Sequence, residues 1–222
     1  MPVVIAGLVL SFLVMLLFGG TELDRALLVL FSAGDAPRLE RASELVAAAA
    51  EPVPLLVLAV AGAAACCFRS RWGQALLLVG LVLLGRLAVD GIQALTEGIR
   101  PSIDERLLSK QGTYPSGHAA NATITGLALA FLLTRHYPVR ALALGAAAAG
   151  ALLVGAARLL TGSAWASDVI GAWAFGLAWV LLVLRLAGED LSDGTARPLR
   201  HSAPGGENDG KPQNRDRPPD GR

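Results

Sequence analysis

Six long apolar segments constrain the fold of this chain more than any other feature. About 20 apolar residues in a row cross a bilayer as an α-helix. The segments are residues 3–18, 54–68, 74–92, 118–133, 141–160 and 169–186. With 54% hydrophobic residues and a mean hydropathy of +0.54, the chain is also too apolar for an ordinary soluble domain. The sequence therefore predicts an all-α fold, a bundle of six transmembrane helices.

The polar stretches between these segments divide the chain into four parts. Residues 1–20 are predicted to be the first transmembrane helix, because no positive n-region or small-residue cleavage site marks a signal peptide. Residues 21–52 mix charged and apolar residues, which predicts an extracytoplasmic loop with amphipathic helices. Residues 53–186 form the membrane core. Residues 187–222 are rich in Pro, Gly, Asp and Arg, which predicts a disordered cytoplasmic tail.

The charges in the short connections predict the orientation of the bundle. The second–third and fourth–fifth connections carry arginines and no acidic residue, namely Arg69, Arg71, Arg135 and Arg140. The first–second connection is acidic. Because arginine-rich short loops stay in the cytoplasm, both termini are predicted to be cytoplasmic in a multi-pass protein of the cell membrane.

Composition excludes several other classes of function. The net charge is +1 and there is no basic stripe with interleaved aromatic residues, so nucleic acid is not an expected partner. No spacing typical of zinc ligands occurs, and we expect neither a metal ion nor another cofactor. The cysteines Cys66 and Cys67 are adjacent, a spacing that strains a disulfide. They are interpreted as small residues of a membrane helix or as sites of acylation at the membrane boundary.

One predicted span carries two ionisable residues. Arg86 and Asp90 lie one helical turn apart in the segment 74–92. Ionisable residues inside a span are costly, and they are usually paired or functional. The sequence leaves two alternatives open, an internal ion pair or a role at a binding site.

A turn whose residues could bind an anion precedes the fourth predicted span. Pro115, Ser116 and Gly117 favour a tight turn, and His118 opens the apolar run that follows. The free backbone N–H groups at a helix start, together with a hydroxyl, bind anions such as phosphate. A histidine there can donate a proton near neutral pH. By itself the pattern also fits a simple turn with an N-cap serine.

Two further segments accompany this turn. Arg100 and Pro101 lie just upstream, and a segment that begins with Ala157 and Arg158 and ends with Asp168 lies one apolar run downstream. These residues fall at the ends of the third to sixth predicted spans, all at the predicted extracytoplasmic face. One bundle can therefore gather them at a single site.

The three segments together resemble the signature of the type 2 phosphatidic acid phosphatase (PAP2) and haloperoxidase superfamily, over roughly residues 50–186. That signature reads Lys-x6-Arg-Pro, then Pro-Ser-Gly-His, then Ser-Arg-x5-His-x3-Asp. The chain keeps the order and the spacing but departs at three positions. Gln93 replaces the lysine, Ala157 replaces the serine of the third segment, and Ala164 replaces its histidine. The resemblance implies a six-helix transmembrane bundle of PAP2 type.

The resemblance also implies a role for each matching residue. In the family, two arginines and the lysine clamp the phosphate, and a serine hydroxyl and a glycine N–H complete the cage. The corresponding positions here are Arg100, Arg158, Gln93, Ser116 and Gly117. His118 matches the histidine that protonates the leaving group. Asp168 matches the aspartate that orients the nucleophilic histidine, and Ala164 stands where that nucleophile would be.

Two functions from different classes follow. The first is binding of a lipid phosphate or diphosphate, phosphatidate-like or isoprenoid, with hydrolysis weak or lost because Ala164 cannot attack phosphorus. The second is a lipid phosphate phosphatase with a rearranged site, in which Ser163 or Ser167 substitutes, Asp168 activates water, or His118 changes role. A purely structural scaffold is a third hypothesis, which the two retained arginines disfavour. Haloperoxidase chemistry is not expected, because that branch also relies on the missing histidine.

Overall fold

The computed structural model of the protein describes residues 1–19, 21–31, 36–96, 113–134 and 136–188. These residues form eight α-helices and no strand, which confirms the predicted all-α class. In chain order the helices are α1 (Pro2–Phe18), α2 (Glu22–Phe31), α3 (Pro37–Ala49), α4 (Pro52–Phe68), α5 (Trp72–Thr96), α6 (Gly117–Leu133), α7 (Tyr137–Leu160) and α8 (Ala166–Leu186). Six of them coincide with the apolar segments. The two others, α2 and α3, lie within the predicted extracytoplasmic loop. The predicted tail beyond residue 188 lies outside the described residues.

The predicted number of transmembrane helices is approximate. On length and composition, α5, residues 138–160 of α7, and α8 can each cross a membrane alone. The pairs α1–α2 and α3–α4 are each bent, and each pair meets the same criterion if it counts as one span. Helix α6 is apolar but only 17 residues long. The count of six is therefore reached only when both bent pairs and the short α6 are included.

Prolines set the point at which α3 gives way to α4. Helix α3 ends at Ala49, and α4 begins at Pro52 after a bend of 48°. Proline lacks a backbone N–H and is tolerated in the first turn of a helix, where that group has no intrahelical acceptor. Both Pro52 and Pro54 lie in the first turn of α4. The chain therefore turns here instead of continuing as one long helix.

Helix α6 is central, because it packs against α4, α5, α7 and α8. Its fully buried residues include Ala119, Ala120 and Ala128. Small residues allow membrane helices to approach closely, which increases the van der Waals contact between them. Around this centre α1 packs against α8, and α3 packs against α7.

Two glycines permit contacts between helices and large aromatic side chains. A Cβ at Gly155 of α7 would lie 2.3 Å from the ring of Trp173 of α8, and one at Gly171 would lie 2.4 Å from the Tyr114 hydroxyl. Both distances are well below van der Waals contact. The Trp173 ring is itself fixed, because its Nε1–H donates a 3.1 Å hydrogen bond to the Ala151 carbonyl. A side chain at either glycine would therefore push these elements apart.

The two cysteines lie in the last turn of α4. Cys66 is buried in the main core cluster, Cys67 is half-buried, and both are free thiols. The burial of Cys66 favours the packing interpretation for that residue. Acylation at the membrane boundary stays a prediction.

Candidate functional site

A cavity of about 230 Å³ lies between the second half of α5, the start of α6, the end of α7 and the α7–α8 turn. Most of the predicted site positions line it, namely Gln93, Ser116, Gly117, His118, Arg158 and the substituted Ala164. Arg100 lies outside the described residues. Asp168 is described but does not line the cavity. Residues from all three sequence segments therefore lie close together, and most of them share one cavity.

Ser116 lines this cavity, and its hydroxyl is not used as a helix cap. Ser116 is the N-cap residue of α6, with extended backbone angles, but its side chain makes no capping hydrogen bond. It is 4% exposed, and its Oγ has no hydrogen-bond partner among the described residues. The alternative of a simple N-cap serine is therefore not what the structure contains. A buried hydroxyl without a partner is costly, and a bound anion would satisfy it.

Helices α5 and α8 hold the turn that carries Ser116. The Nε2 of Gln93 on α5 donates a 2.8 Å hydrogen bond to the Pro115 carbonyl, and the Thr96 hydroxyl lies 2.7 Å from the Tyr114 carbonyl. The Ser116 N–H donates to the backbone carbonyl of Asp168 at 3.1 Å. The second and third sequence segments are thus bonded directly to each other.

The residues on either side of Pro115 and Ser116 make two further contacts, the first with α1. The Tyr114 hydroxyl donates to the carbonyl of Phe12 on α1, and the Tyr114–Pro115 peptide bond is cis. A Cβ at Gly117 would lie 3.1 Å from the Gln93 Nε2. Glycine at this position therefore leaves room for the amide that braces the turn.

Arg158 also lines the cavity. It lies in the last turn of α7, and its Nη2 donates a 2.9 Å hydrogen bond to the Ser163 carbonyl. The Ser163 N–H in turn donates to the Arg158 carbonyl at 3.0 Å, and Gly162 permits this tight turn with a φ of 61°. The buried Arg158 Nε has no hydrogen-bond partner in the described part of the chain. The guanidinium is thus anchored by one nitrogen and has a donor left for an anion.

Asp168 has a structural role at the start of α8. It is 0% exposed, and its Oδ2 accepts a 3.2 Å hydrogen bond from the Trp165 N–H. This is the reciprocal half of a capping box, in which the third helical residue bonds back to the N-cap. Since Asp168 does not line the cavity, its geometry does not support the hypothesis that it activates water there. Its role in orienting a histidine stays a prediction.

The two serines considered as substitutes for the nucleophile differ in position. Ser163 lines the cavity, and its hydroxyl lies 2.6 Å from that of Thr161. Ser167 does not line it; its hydroxyl donates a 2.6 Å hydrogen bond to the Asp24 Oδ2, and its N–H donates to the Asp24 Oδ1 at 3.1 Å. The Ser167 hydroxyl is therefore committed to a buried carboxylate from α2. The sequence contains no local signal for that contact.

Arg86 and Asp90 form the ion pair that was one of the two alternatives, and both line the cavity. The Arg86 Nε lies 3.7 Å from the Asp90 Oδ2, an ion pair across one turn of α5. Both residues also line the cavity together with Ser116 and His118. The pairing alternative is therefore confirmed, and a role at a binding site stays a prediction.

Two more polar residues of the cavity wall were not predicted as site residues. Thr113 lies just before the turn, and Asn121 follows His118 by three residues on α6. That spacing puts His118 and Asn121 on the same helix face, which is the signal that identifies Asn121 from sequence. Among the described residues there is no group of three His, Cys, Asp or Glu side chains placed to hold a metal ion.

Comparisons with known proteins point to one family. A family model described as the PAP2 superfamily matches residues 74–191, more than half of the chain. Phosphatidylglycerophosphatase B from Bacillus subtilis (strain 168) is 28% identical over 135 residues, which are 59% of this chain and 65% of that protein. The chain therefore aligns with slightly less than two thirds of that relative.

The fold is similar to that of a solved membrane protein. The crystal structure of a transmembrane PAP2-type phosphatidylglycerolphosphate phosphatase from Bacillus subtilis matches with a TM-score of 0.70 and 24% identity. The match covers 83% of this chain and 96% of that chain. Together with the long apolar helices and the family match over most of the core, this fold identifies a multi-pass membrane protein. The chain belongs to the PAP2 superfamily.

Proposed function

We propose that this protein binds a lipid phosphate or diphosphate in the cavity, with hydrolysis weak or lost. The observation that carries the proposal is the composition of the cavity wall. Ser116, His118 and Arg158, which match phosphate-handling positions of the family, line it together with the methyl group of Ala164. Several groups that would hold a phosphate therefore line the cavity, and the side chain that attacks phosphorus in the family is absent.

Unused polar groups support phosphate binding. The Ser116 Oγ and the Arg158 Nε are both buried without hydrogen-bond partners among the described residues. The start of α6 adds backbone N–H groups, which favour an anion together with the positive end of the helix dipole. A phosphate oxygen can accept from all of these donors. Charge-assisted bonds of this kind are about twice as strong as neutral ones.

The missing nucleophile supports the loss of turnover. Phosphoryl transfer depends on positioning and charge stabilisation, but it still needs a nucleophile in line with the leaving group. Ala164 is 2% exposed and has no lone pair to offer. Loss of one member of a catalytic unit commonly costs several orders of magnitude in rate. We therefore place hydrolysis by this chain far below that of a family member with a complete third segment.

The proposed ligand carries its phosphate at a membrane surface. A cavity of about 230 Å³ accommodates a phosphate and part of a head group, while the apolar chains remain in the bilayer. The names of the relatives refer to phosphatidylglycerophosphate, and a phosphatidate-like or isoprenoid phosphate presents the same terminal group. The asymmetric distribution of loop arginines supports placing the cavity at the extracytoplasmic face, with both termini in the cytoplasm.

An active phosphatase with a rearranged site is the second candidate. Asp90 supports it, because this carboxylate lines the cavity together with His118, whereas Asp168 does not. Asp90 would take a proton from water, the resulting hydroxide would bond to phosphorus, and the ester bond would break. His118 would then give its proton to the departing alkoxide.

Two measurements on the purified protein in lipid nanodiscs test the proposal. Calorimetric titration with a short-chain phosphatidate should show saturable binding, and the matching phosphatidylcholine, which lacks a terminal phosphate, should show none. Release of inorganic phosphate should stay at the background level. Release that His118→Ala abolishes would establish the second candidate instead. Absence of phosphatidate binding would leave the structural scaffold as the remaining hypothesis.

A further inference from the structure

We infer that Arg86 is an additional phosphate-binding cation, which replaces the positive charge lost at Gln93. This inference rests on the proposed function and assigns a residue outside the family signature to the same site. It starts from the composition of the cavity wall. Among the described residues that line the cavity, two are arginines, Arg86 and Arg158. Arg86 lies seven positions before Gln93, within the apolar part of α5.

The register of α5 places three cavity residues on one face. Arg86, Asp90 and Gln93 are separated by four and three residues, the spacing at which side chains align along a helix. All three line the cavity. Seven residues correspond to about two helical turns, or about 10 Å along the helix axis. The lost lysine and Arg86 thus approach the site from the same helix face.

The ion pair of Arg86 also lies at the site. Arg86 pairs with Asp90, four residues closer to the C-terminus of α5, and both residues line the cavity together with Gln93 and Ser116. The pair leaves donors unused, because it joins only the Arg86 Nε to the Asp90 Oδ2, at 3.7 Å. In the described part of the chain Arg86 has no other ion pair.

Gln93 cannot supply the missing charge. Its amide is neutral, and its Nε2 already donates to the Pro115 carbonyl. Arg158 spends one nitrogen on the Ser163 carbonyl. A phosphate in a low-dielectric cavity gains far more from a nearby cation than it would in water. Arg86 provides that cation through its terminal nitrogens, and Asp90 positions it when the cavity is empty.

Asp90 has an opposing effect once a phosphate is bound. Its carboxylate holds Arg86 towards the cavity, but its negative charge repels the ligand. Asp90→Asn removes that negative charge and should tighten phosphate binding. This variant also provides the background for a clean test, because removal of Arg86 then leaves no unpaired carboxylate in the membrane.

The test compares Asp90→Asn with Asp90→Asn/Arg86→Gln in nanodiscs, by calorimetric titration with short-chain phosphatidate. We expect the double variant to bind at least about tenfold more weakly, since it differs only by the loss of one charge-assisted contact. Arg69→Gln is the matched control, an exposed arginine at the C-cap of α4 and outside the cavity wall. It should leave the affinity unchanged.

Adding Gln93→Lys separates a ligand contact from a structural role. If Arg86 replaces the lysine, the triple variant should regain most of the lost affinity, whereas a folding defect would not be repaired in this way. Equal affinity of the single and double variants would overturn the inference, and so would failure of the rescue. If the parent protein binds no phosphatidate, the proposed function falls as well. If the parent binds and Arg158→Gln weakens binding while the loss of Arg86 does not, only the present inference is wrong.

Discussion

Ser167, the second residue of α8, donates its backbone N–H and its hydroxyl to the two carboxylate oxygens of Asp24, at 3.1 Å and 2.6 Å. Both residues are 4% exposed. A carboxylate at a helix N-terminus satisfies an N–H group that has no intrahelical acceptor and interacts favourably with the helix dipole. The contact fastens α2, from the first connection, to the helix that carries Asp168. The wall of the candidate site therefore depends on a residue far from it in sequence.

Asp24→Ala should lower the free energy of unfolding by about 2–4 kcal/mol, because it removes two buried hydrogen bonds to a carboxylate. Equilibrium unfolding in mixed micelles measures the effect. Glu22→Ala is the control in the same turn of α2, since the Glu22 side chain is 93% exposed and pairs only at the surface with Arg25. Exposed pairs contribute little, so Glu22→Ala should change almost nothing. Equal effects of the two substitutions would contradict the buried cap.

The gathering of the site residues was predictable from the positions of the spans. Ser116 and His118 open one apolar segment, and Arg158 closes the next. In a bundle of antiparallel helices such ends meet at the same face, and these three residues do line one cavity. Helices α2 and α3 lie where the sequence predicts amphipathic helices. The number of spans was less predictable, because α1–α2 and α3–α4 are bent pairs and α6 has only 17 residues.

The contacts that hold the site together were not predictable. Asp24 and Ser167 are 143 residues apart, and Gln93 reaches the Pro115 carbonyl from another helix. Such contacts arise when helices dock, and no local periodicity encodes them. Asp168 carried a weak signal, because an acidic residue in the first turn of a helix favours a capping role. A tryptophan at the N-cap, where serine or threonine is usual, obscured it.

Arg158→Ala should weaken phosphatidate binding by at least about tenfold, since a charge-assisted hydrogen bond contributes about 1.5–3 kcal/mol. Arg140→Ala is the matched control on the same helix. Arg140 lies at the other end of α7, where it donates to the Thr134 carbonyl and stacks on Phe131. Titration calorimetry compares the two variants. A similar loss of affinity in both would indicate a general effect on α7 and not a contact with the ligand.

The predicted orientation is testable by cysteine labelling in intact cells, after Cys66 and Cys67 have been replaced by alanine. Glu51→Cys, at the exposed break between α3 and α4, should react with a membrane-impermeant thiol reagent. Ser70→Cys, in the exposed turn between α4 and α5, should react only after permeabilisation. The reason is the arginine-rich composition of the second turn. The reverse pattern of labelling would place the cavity at the cytoplasmic face.

Restoring the missing groups tests whether the cavity still has the geometry of a phosphatase site. Ala164→His returns an imidazole to a position that lines the cavity, and Gln93→Lys returns a positive charge to α5. Ala164 precedes α8, which begins at Ala166, so the new imidazole would stand in the α7–α8 turn, four residues before Asp168. We expect this double variant to release inorganic phosphate from short-chain phosphatidate at a measurable rate. A further Arg158→Ala should abolish the release, because a phosphate held by fewer donors no longer lies in line with the nucleophile.

Ala164→Asn with Gln93→Lys is the control, since an amide of similar size fills the same space without acting as a nucleophile. Phosphate release from the asparagine variant would show that a group other than the restored imidazole attacks phosphorus. No release from either variant would show that the cavity does not place a bound phosphate in line with a nucleophile at position 164.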